Sequence, residues 1–272
     1  IDDGCTDESA ALIKPICEKD RRLQVISQEN RGLARARNRG LAQVTGEFVI
    51  FLDADDYWAP MCIEKLYQAV TKANGDLAYC GWQNIGLPGG RGEPFVPPDY
   101  AGTDKIDVFL GGCRWPIHAA LVRRQILIDL GGFPGRWNSC EDYYVWLNLA
   151  PFHKIVRVPE VLAYYRHHEG PQITKNRLRI ATNHWLIQRE FIATHRKDVA
   201  GLARRRLREL THGELLRRGY VCYWQRDLAT ARPIFRKVMQ AGYGTPRDWI
   251  YMLPALLPMP LHRLLIKLAR RR

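Results

Sequence analysis

Residues 47–56 read Glu-Phe-Val-Ile-Phe-Leu-Asp-Ala-Asp-Asp, an apolar run ending in three carboxylates. A short continuous run of β-forming residues predicts a buried strand over 47–52, since a half-exposed strand would alternate with polar side chains. Asp53, Asp55 and Asp56 fall just beyond its C-terminal end. In open α/β sheets that edge is where ligands bind. Carboxylates this close repel one another unless a cation lies between them, and hard divalent ions take one or two carboxylates plus phosphate oxygens. The same residues also suit a solvated acidic turn leading into a helix from Pro60. The stretch alone does not choose.

Outward from this strand, helix and strand signals alternate. Helical spacing covers 60–73, strand character 76–82, and a Gly- and Pro-rich surface loop 86–104. A strand follows at 119–123, a short helix at 125–130 closed by Gly131-Gly132, a helix at 141–149 and an extended return at 156–165. Upstream, residues 1–9 form an acidic loop leading to a helix over 10–20 capped by Thr6 or Asp7, then a short strand over 23–27. Leu33, Ala34, Ala36 and Leu41 suit a helix starting after Gly32. This alternation predicts an α/β fold with a largely parallel sheet. Near 172–176 the texture changes to Arg-dense helices. We therefore expect an α/β domain over 1–173 and a basic helical extension over 174–272 with an amphipathic tail. Within it, 219–242 resembles half of a helical repeat, with Tyr220, Trp224, Ala231 and Phe235 at helical spacings; one unit is not an array.

Composition narrows the classes. The 272 residues are 46% hydrophobic and 25% charged, which excludes a disordered chain, a collagen and a coiled coil. No run of about 18 uncharged apolar residues exists to span a bilayer. The opening Ile1-Asp2-Asp3-Gly4 is not a basic-then-apolar leader, and it reads as a strand-to-loop junction. Seven cysteines without a CxxC pair argue against a zinc site or disulfide framework and for a reducing, cytoplasmic compartment. A net charge of +13 raises nucleic-acid binding, but aromatic residues are not interleaved with the basic ones and no nucleic-acid motif appears. No nucleic-acid partner is expected, and a non-catalytic basic protein on an inert fold, binding nucleic acid or serving as a scaffold, is the rival reading.

Three further stretches join the acidic run. Asp2-Asp3-Gly4-Cys5-Thr6-Asp7 carries a second carboxylate pair at a strand end, and 30–40 (NRGLARARNRG) places Arg37 and Asn38 between the two acidic loops. Arg can hold phosphate or a base face, and a carboxylate can accept from a base N–H. Gly131-Gly132-Phe133 and then Glu141-Asp142 follow. In this order and spacing, over roughly residues 1–168, the chain resembles the family 2 glycosyltransferases, inverting enzymes of GT-A (Rossmann-like nucleotide-diphospho-sugar transferase) fold.

The resemblance implies transfer of one sugar from a nucleotide-diphosphate donor, read as a UDP-sugar, to a glycan or lipid-linked acceptor, with Mg2+ or Mn2+ as cofactor. It implies a place in cell-surface polysaccharide biosynthesis; a polyprenyl phosphate acceptor is the alternative. By matching motif, Asp3, with Asp2 beside it, resembles the uracil-binding carboxylate, and Arg37 and Asn38 lie by the nucleotide. Asp53 and Asp55 resemble the family's metal-binding DxD pair, with Asp53 toward the ribose and Asp55 on the metal. Glu141-Asp142 matches the pair whose Asp is general base, although on its own such a pair is ordinary helix N-terminal charge. Trp115 and His118 fall in the acceptor-facing stretch, and His168 on the diphosphate side. The family begins with one more strand and helix, so the resemblance implies that the chain opens part-way into the fold. The QxxRW signature of processive relatives is absent, which favours single addition.

At the other end, Leu261, Leu264, Leu265 and Leu268 form one helical stripe, with His262, Arg263, Lys267 and 270–272 elsewhere. Pro254, Pro258 and Pro260 confine the helix to a start near Leu261. The pattern is that of an interfacial helix drawn to anionic lipid, peripheral on the inner face of the cytoplasmic membrane. A terminal helix packed on its own domain is the plainer alternative.

Overall fold

A computed structural model describes residues 1–87, 90–170 and 173–269. The chain divides into two units, Ile1–Lys105 with Cys113–Gly170, and Ile106–Gly112 with Pro171–Arg272. The strands are β1 (Phe48–Ile50), β2 (Tyr57–Trp58), β3 (Leu77–Ile85), β4 (Ala120–Arg123) and β5 (Ile155–Arg166). The first helices are α1 (Ser9–Lys19), α2 (Leu33–Leu41), α3 (Cys62–Lys72), α4 (Lys105–Leu110), α5 (Arg124–Asp129) and α6 (Glu141–Leu149). The later ones are α7 (Arg177–Thr194), α8 (Arg204–Arg208), α9 (Glu214–Trp224), α10 (Leu228–Gln240), α11 (Pro246–Met252) and α12 (Met259–Ala269).

The first unit is a mixed sheet of order β1-β4-β3-β5-β2 flanked by helices. Only β3 and β5 pair in parallel; β1–β4, β3–β4 and β2–β5 are antiparallel. The expected largely parallel sheet is therefore corrected. Alternation along the chain gives the order of elements but not their neighbours, and the two-residue β2 pairs antiparallel with β5, a strand distant in sequence. The strand expected over 23–27 also does not form. Ser27 makes one parallel bridge to Asp2, while Leu23 and Val25 stay exposed with nothing to cover them.

The core of this unit follows from spacing. α3 buries Cys62, Leu66 and Val70, four residues apart on one face. Leu77 to Cys80 on β3 are buried on both sides, as a central strand requires. Trp115 stacks on Tyr79 with ring centroids 4.2 Å apart. Each such large apolar side chain contributes about 1.5–3 kcal/mol by leaving water. The seven cysteines are all free thiols.

The second unit is helical. α9 and α10 form a hairpin whose faces meet at Gly219, where a Cβ would lie 2.8 Å from the Phe235 ring. The residues that suggested half a helical repeat are those of this hairpin. Asp227 caps α10 by accepting from Thr230 N, and Thr245 and Asp248 form a reciprocal cap on α11. α12 starts at Met259, two residues before the expected Leu261, because Pro260 is tolerated in a first turn. Its orientation is inverted relative to its polarity. His262 is fully buried, 6.3 Å from the Tyr223 ring, and Ile266 packs on the core, whereas Leu261, Leu264, Leu265 and Leu268 each remain about half exposed. Arg270 to Arg272 lie outside the described residues.

Candidate active site

α2 presents Ala34, Arg37 and Leu41 to the interior at spacings of three and four. A guanidinium carried inward this way needs a partner, and Arg37 Nη2 donates to Asp53 Oδ1 at 2.7 Å with the Arg37 side chain only 8% exposed. Its Cζ lies 5.4 Å from the centroid of the Phe133 ring. The adjacent Asn38, expected beside the nucleotide, instead clamps a turn. Its Nδ2 donates to Phe133 O at 2.7 Å and its Oδ1 accepts from Phe133 N at 2.8 Å. Gly132 makes this approach feasible: its φ is +71°, and a Cβ there would fall 2.4 Å from Asn38 Oδ1. The clamp thereby fixes the ring beneath Arg37.

The acidic run after β1 divides by direction. Asp53 faces Arg37. Asp55 is partly exposed, with its Oδ2 3.2 Å from His168 Nε2. Asp56 turns inward, where its Oδ1 accepts from Arg166 N at 2.8 Å and its Oδ2 lies 3.0 Å from His118 Nδ1, off the line of a hydrogen bond. His118 is itself fully buried, and its carbonyl accepts from Trp58 Nε1 at 2.7 Å. The expectation that His118 meets acceptor or diphosphate is thus corrected, since it braces the acidic loop from below. Trp115 is corrected likewise: it is 1% exposed and belongs to the core stack on Tyr79.

α6 opens at Cys140, whose φ of 64° is left-handed for a residue with a side chain. That bend delivers Glu141 and Asp142 into the first turn. Glu141 is buried, and burial pushes its carboxyl above the ordinary carboxylate range, with Asp142 and Asp53 adding repulsion and Arg37 opposing. Asp142 keeps some solvent access but is closely surrounded. Burial raises its carboxyl as well, while Arg37 and the Tyr143 N–H, which donates at 2.7 Å to Oδ1, hold it down and Asp53 pushes it up. Cys113 Sγ lies 3.8 Å from Asp142 Oδ2, and burial and this carboxylate push its thiol well up, so it stays protonated. A desolvated carboxylate of raised pKa is a stronger proton acceptor than a surface one.

Asp3 holds a separate loop. Its Oδ1 accepts from Gln28 Nε2 and Arg31 N at 2.7 and 2.9 Å, and its Oδ2 from Gly32 N at 2.9 Å. Burial raises this carboxyl, but the three donors outweigh it and hold it below the usual range. Asp2 accepts from Cys5 N at 2.8 Å and is lowered chiefly by that bond.

Arg37, Asp53, Glu141 and Asp142 thus form one electrostatic group, with Asp55 and His168 paired on the same acidic loop and the end of β5. Two supporting residues carry no readable signal, Gln28 behind Asp3 and Cys113 beside Asp142; Asp56 is legible as one of three carboxylates but not as the one that turns inward. Among the described residues, no cluster of three or more His, Cys, Asp or Glu is placed to hold a metal. One or two carboxylates nevertheless suffice for an ion that takes its other ligands from a diphosphate and water, so the Asp55–His168 pair fits such an ion.

Residues 1–131 match the model of the family described as glycosyl transferase family 2. An uncharacterized glycosyltransferase of Haemophilus influenzae is 38% identical over 156 residues, 54% of this chain and 57% of its own. Glycosyltransferase GlyA of Streptococcus pneumoniae is 40% identical over 78 residues, 29% and 11% of the two chains. The chain spans between 11% and 57% of the length of such curated relatives. Among solved structures, S. aureus TarS aligns with a TM-score of 0.58 at 18% identity, over 96% of this chain and 45% of that one. The mannosyltransferase PcManGT from Pyrobaculum calidifontis, in complex with GDP-Man and Mn2+, gives 0.50 at 18% identity, over 97% and 72%. At these identities the likeness is one of fold, the GT-A arrangement.

Proposed function

We propose that this chain, whose residues 1–131 match glycosyl transferase family 2, moves one sugar, with inversion, from a nucleotide-diphosphate donor to a hydroxyl of a glycan or lipid-linked acceptor. The observation that carries this reading is the group of Arg37, Asp53, Glu141 and Asp142, in which burial raises the Asp142 carboxyl. Asp142 takes the acceptor hydroxyl's proton as the sugar–phosphate bond breaks. No second carboxylic acid is required, since a diphosphate is already a good leaving group. Asp53, held by Arg37, meets the ribose, and the loop held by Asp3 meets the base, taken as uracil.

Asp55, with His168 beside it, would hold a divalent ion, Mg2+ or Mn2+, whose chemistry is to neutralise the departing diphosphate. The solved relative bound to GDP-Man and Mn2+ supports a metal of this kind. Titrating a nucleoside diphosphate with and without Mn2+ tests the assignment. Asp55→Ala should abolish the metal-dependent part of binding while the fold, measured by circular dichroism, is kept. Equal affinity with and without the ion in the unaltered protein would remove the metal from the mechanism.

The same reading places the protein against the inner face of an anionic membrane. Among the described residues no helix is long and apolar enough to cross a bilayer. The outward leucines of α12, flanked by exposed Arg263 and Lys267, support a peripheral contact instead. A lipid-linked or polyprenyl phosphate acceptor would suit that position.

A further inference from the structure

Seven of the arginines in the helical unit have partners that differ in kind. Arg206 is bidentate to Asp107, and Arg217 and Arg218 both bind Glu214. These cations are neutralised and serve the fold. Arg189, Arg196, Arg204 and Arg208 line a cavity of about 410 Å3, and no carboxylate lines it. Arg189 is held over the Trp185 ring at 4.8 Å. Arg208 Nη2 donates to the carbonyls of Ala241 and Gly242 at 3.1 and 2.6 Å. An indole face and two carbonyls orient a guanidinium without cancelling its charge. Two of the four cations are therefore positioned yet unneutralised, which costs self-repulsion unless an anion relieves it.

The wall of the cavity is also unusual in its backbone. α8 and α9 are joined without a break by a π-helical turn, Glu209–Gly213, and that turn supplies Thr211 and His212 to the lining. Single π-helical turns are rare and occur frequently at functional sites. His212 Nδ1 accepts from Trp185 Nε1 at 3.0 Å, which fixes its tautomer with the proton on Nε2. Burial, then Arg208 and Arg189, hold this imidazole below its ordinary pKa, so it stays neutral and both cations are felt at its ring. The remaining lining, with Ile192, Val199 and Leu207, is apolar.

We propose that this cavity is a binding site for a phosphate or diphosphate group carried on a small organic body. The guanidinium fork matches phosphate oxygens in pairs, and an apolar floor suits the uncharged remainder. Its volume is that of a small-ligand pocket, and it has neither the extent nor the stacking platform of a polynucleotide groove. Nothing in the transfer site is needed for it, so the two stand or fall separately.

Inorganic pyrophosphate, titrated calorimetrically in EDTA at low salt, tests the proposal. The full chain should bind it without metal, and Arg196→Gln/Arg204→Gln should weaken binding by about tenfold or more, the loss expected for charge-assisted contacts. Asp55→Ala should leave this affinity unchanged. Both altered arginines are surface residues, and melting temperature checks the fold; Arg189→Gln serves as an independent variant should the double change unfold. Phosphatidic acid vesicles competing with pyrophosphate would identify a lipid headgroup as the source of the phosphate, whereas competition by a soluble sugar phosphate alone would identify a free ligand. No metal-free binding, or binding undiminished in both variants, would overturn the site. So would a single-stranded oligonucleotide that binds far more tightly than pyrophosphate through the same arginines.

Discussion

Arg37 Nη2 and Asp53 Oδ1 are 2.7 Å apart, and that one ion pair links the helix after Gly32 to the end of the buried strand read first in the sequence. The Arg37 charge also reaches Glu141 and Asp142, lowering both carboxyls against burial and against Asp53. Arg37→Met should therefore move the acid limb of the transfer rate upward in pH, because Asp142 must then lose its proton without a nearby cation. Arg37→Lys should restore most of that shift. The cost in stability is modest, about 1 kcal/mol, since Asp53 keeps 31% of its side chain in water. An acid limb unmoved by Arg37→Met would separate Arg37 from Asp142.

Asp142→Asn should lower turnover by about 10²–10⁴-fold, the usual worth of a general base, while leaving donor affinity intact. The same change should raise the melting temperature at neutral pH. Asp142 and Glu141 both titrate higher in the folded protein than in an unfolded chain, so the folded state binds protons more tightly. Their contribution favours folding at low pH and is lost as pH rises through the raised values. Removing one such charge relieves the neutral-pH penalty, and calorimetric melts at two pH values measure the difference. A variant that turns over normally sinks the role.

Gly132→Ala should destabilise the first unit by about 1–3 kcal/mol, since it forces a side chain into a left-handed backbone against Asn38 Oδ1. Asn38→Ala should cost less, because it removes the two bonds to Phe133 without a clash. Urea unfolding curves rank the two. The reverse order would mean that the turn is held by something other than this clamp.

Replacing Leu261, Leu264, Leu265 and Leu268 together with Gln should leave the melting temperature within a few degrees, because about half of each residue is already exposed to water. Flotation with anionic vesicles should nevertheless be lost. A large fall in melting temperature would show that the row is packed rather than lipid-facing.

Much of the fold could be read because local patterns determine it. The run at 48–52, the four-residue spacing on α3 and the Gly131-Gly132 stop each express a backbone or burial requirement within a few residues. Strand partnership could not be read, since β4 and β2 pair antiparallel through contacts distant in sequence. The site divides in the same way. Asp53, Asp55 and Asp56 are equivalent as letters, and the Arg166 N–H, distant in sequence, with buried His118 alongside, meets one of them turned inward. Asn38 looked like a ligand because it is polar and adjacent to Arg37, but α2 rotates it toward Phe133. Trp115 gave no warning that its ring would be taken up by Tyr79.

The inverted docking of α12 bears on how the protein behaves in a tube. A helix that seats its histidine and displays its leucines presents a greasy strip to solvent, joined along 250–257 by exposed Ile250, Leu253, Leu256 and Leu257. Without lipid or detergent, copies can bury that strip only against each other, and the high positive charge that would keep them apart weakens as salt screens it. Concentrated, high-salt preparations will thus favour self-association, and colloidal stability will depend on what is supplied to cover one short helix.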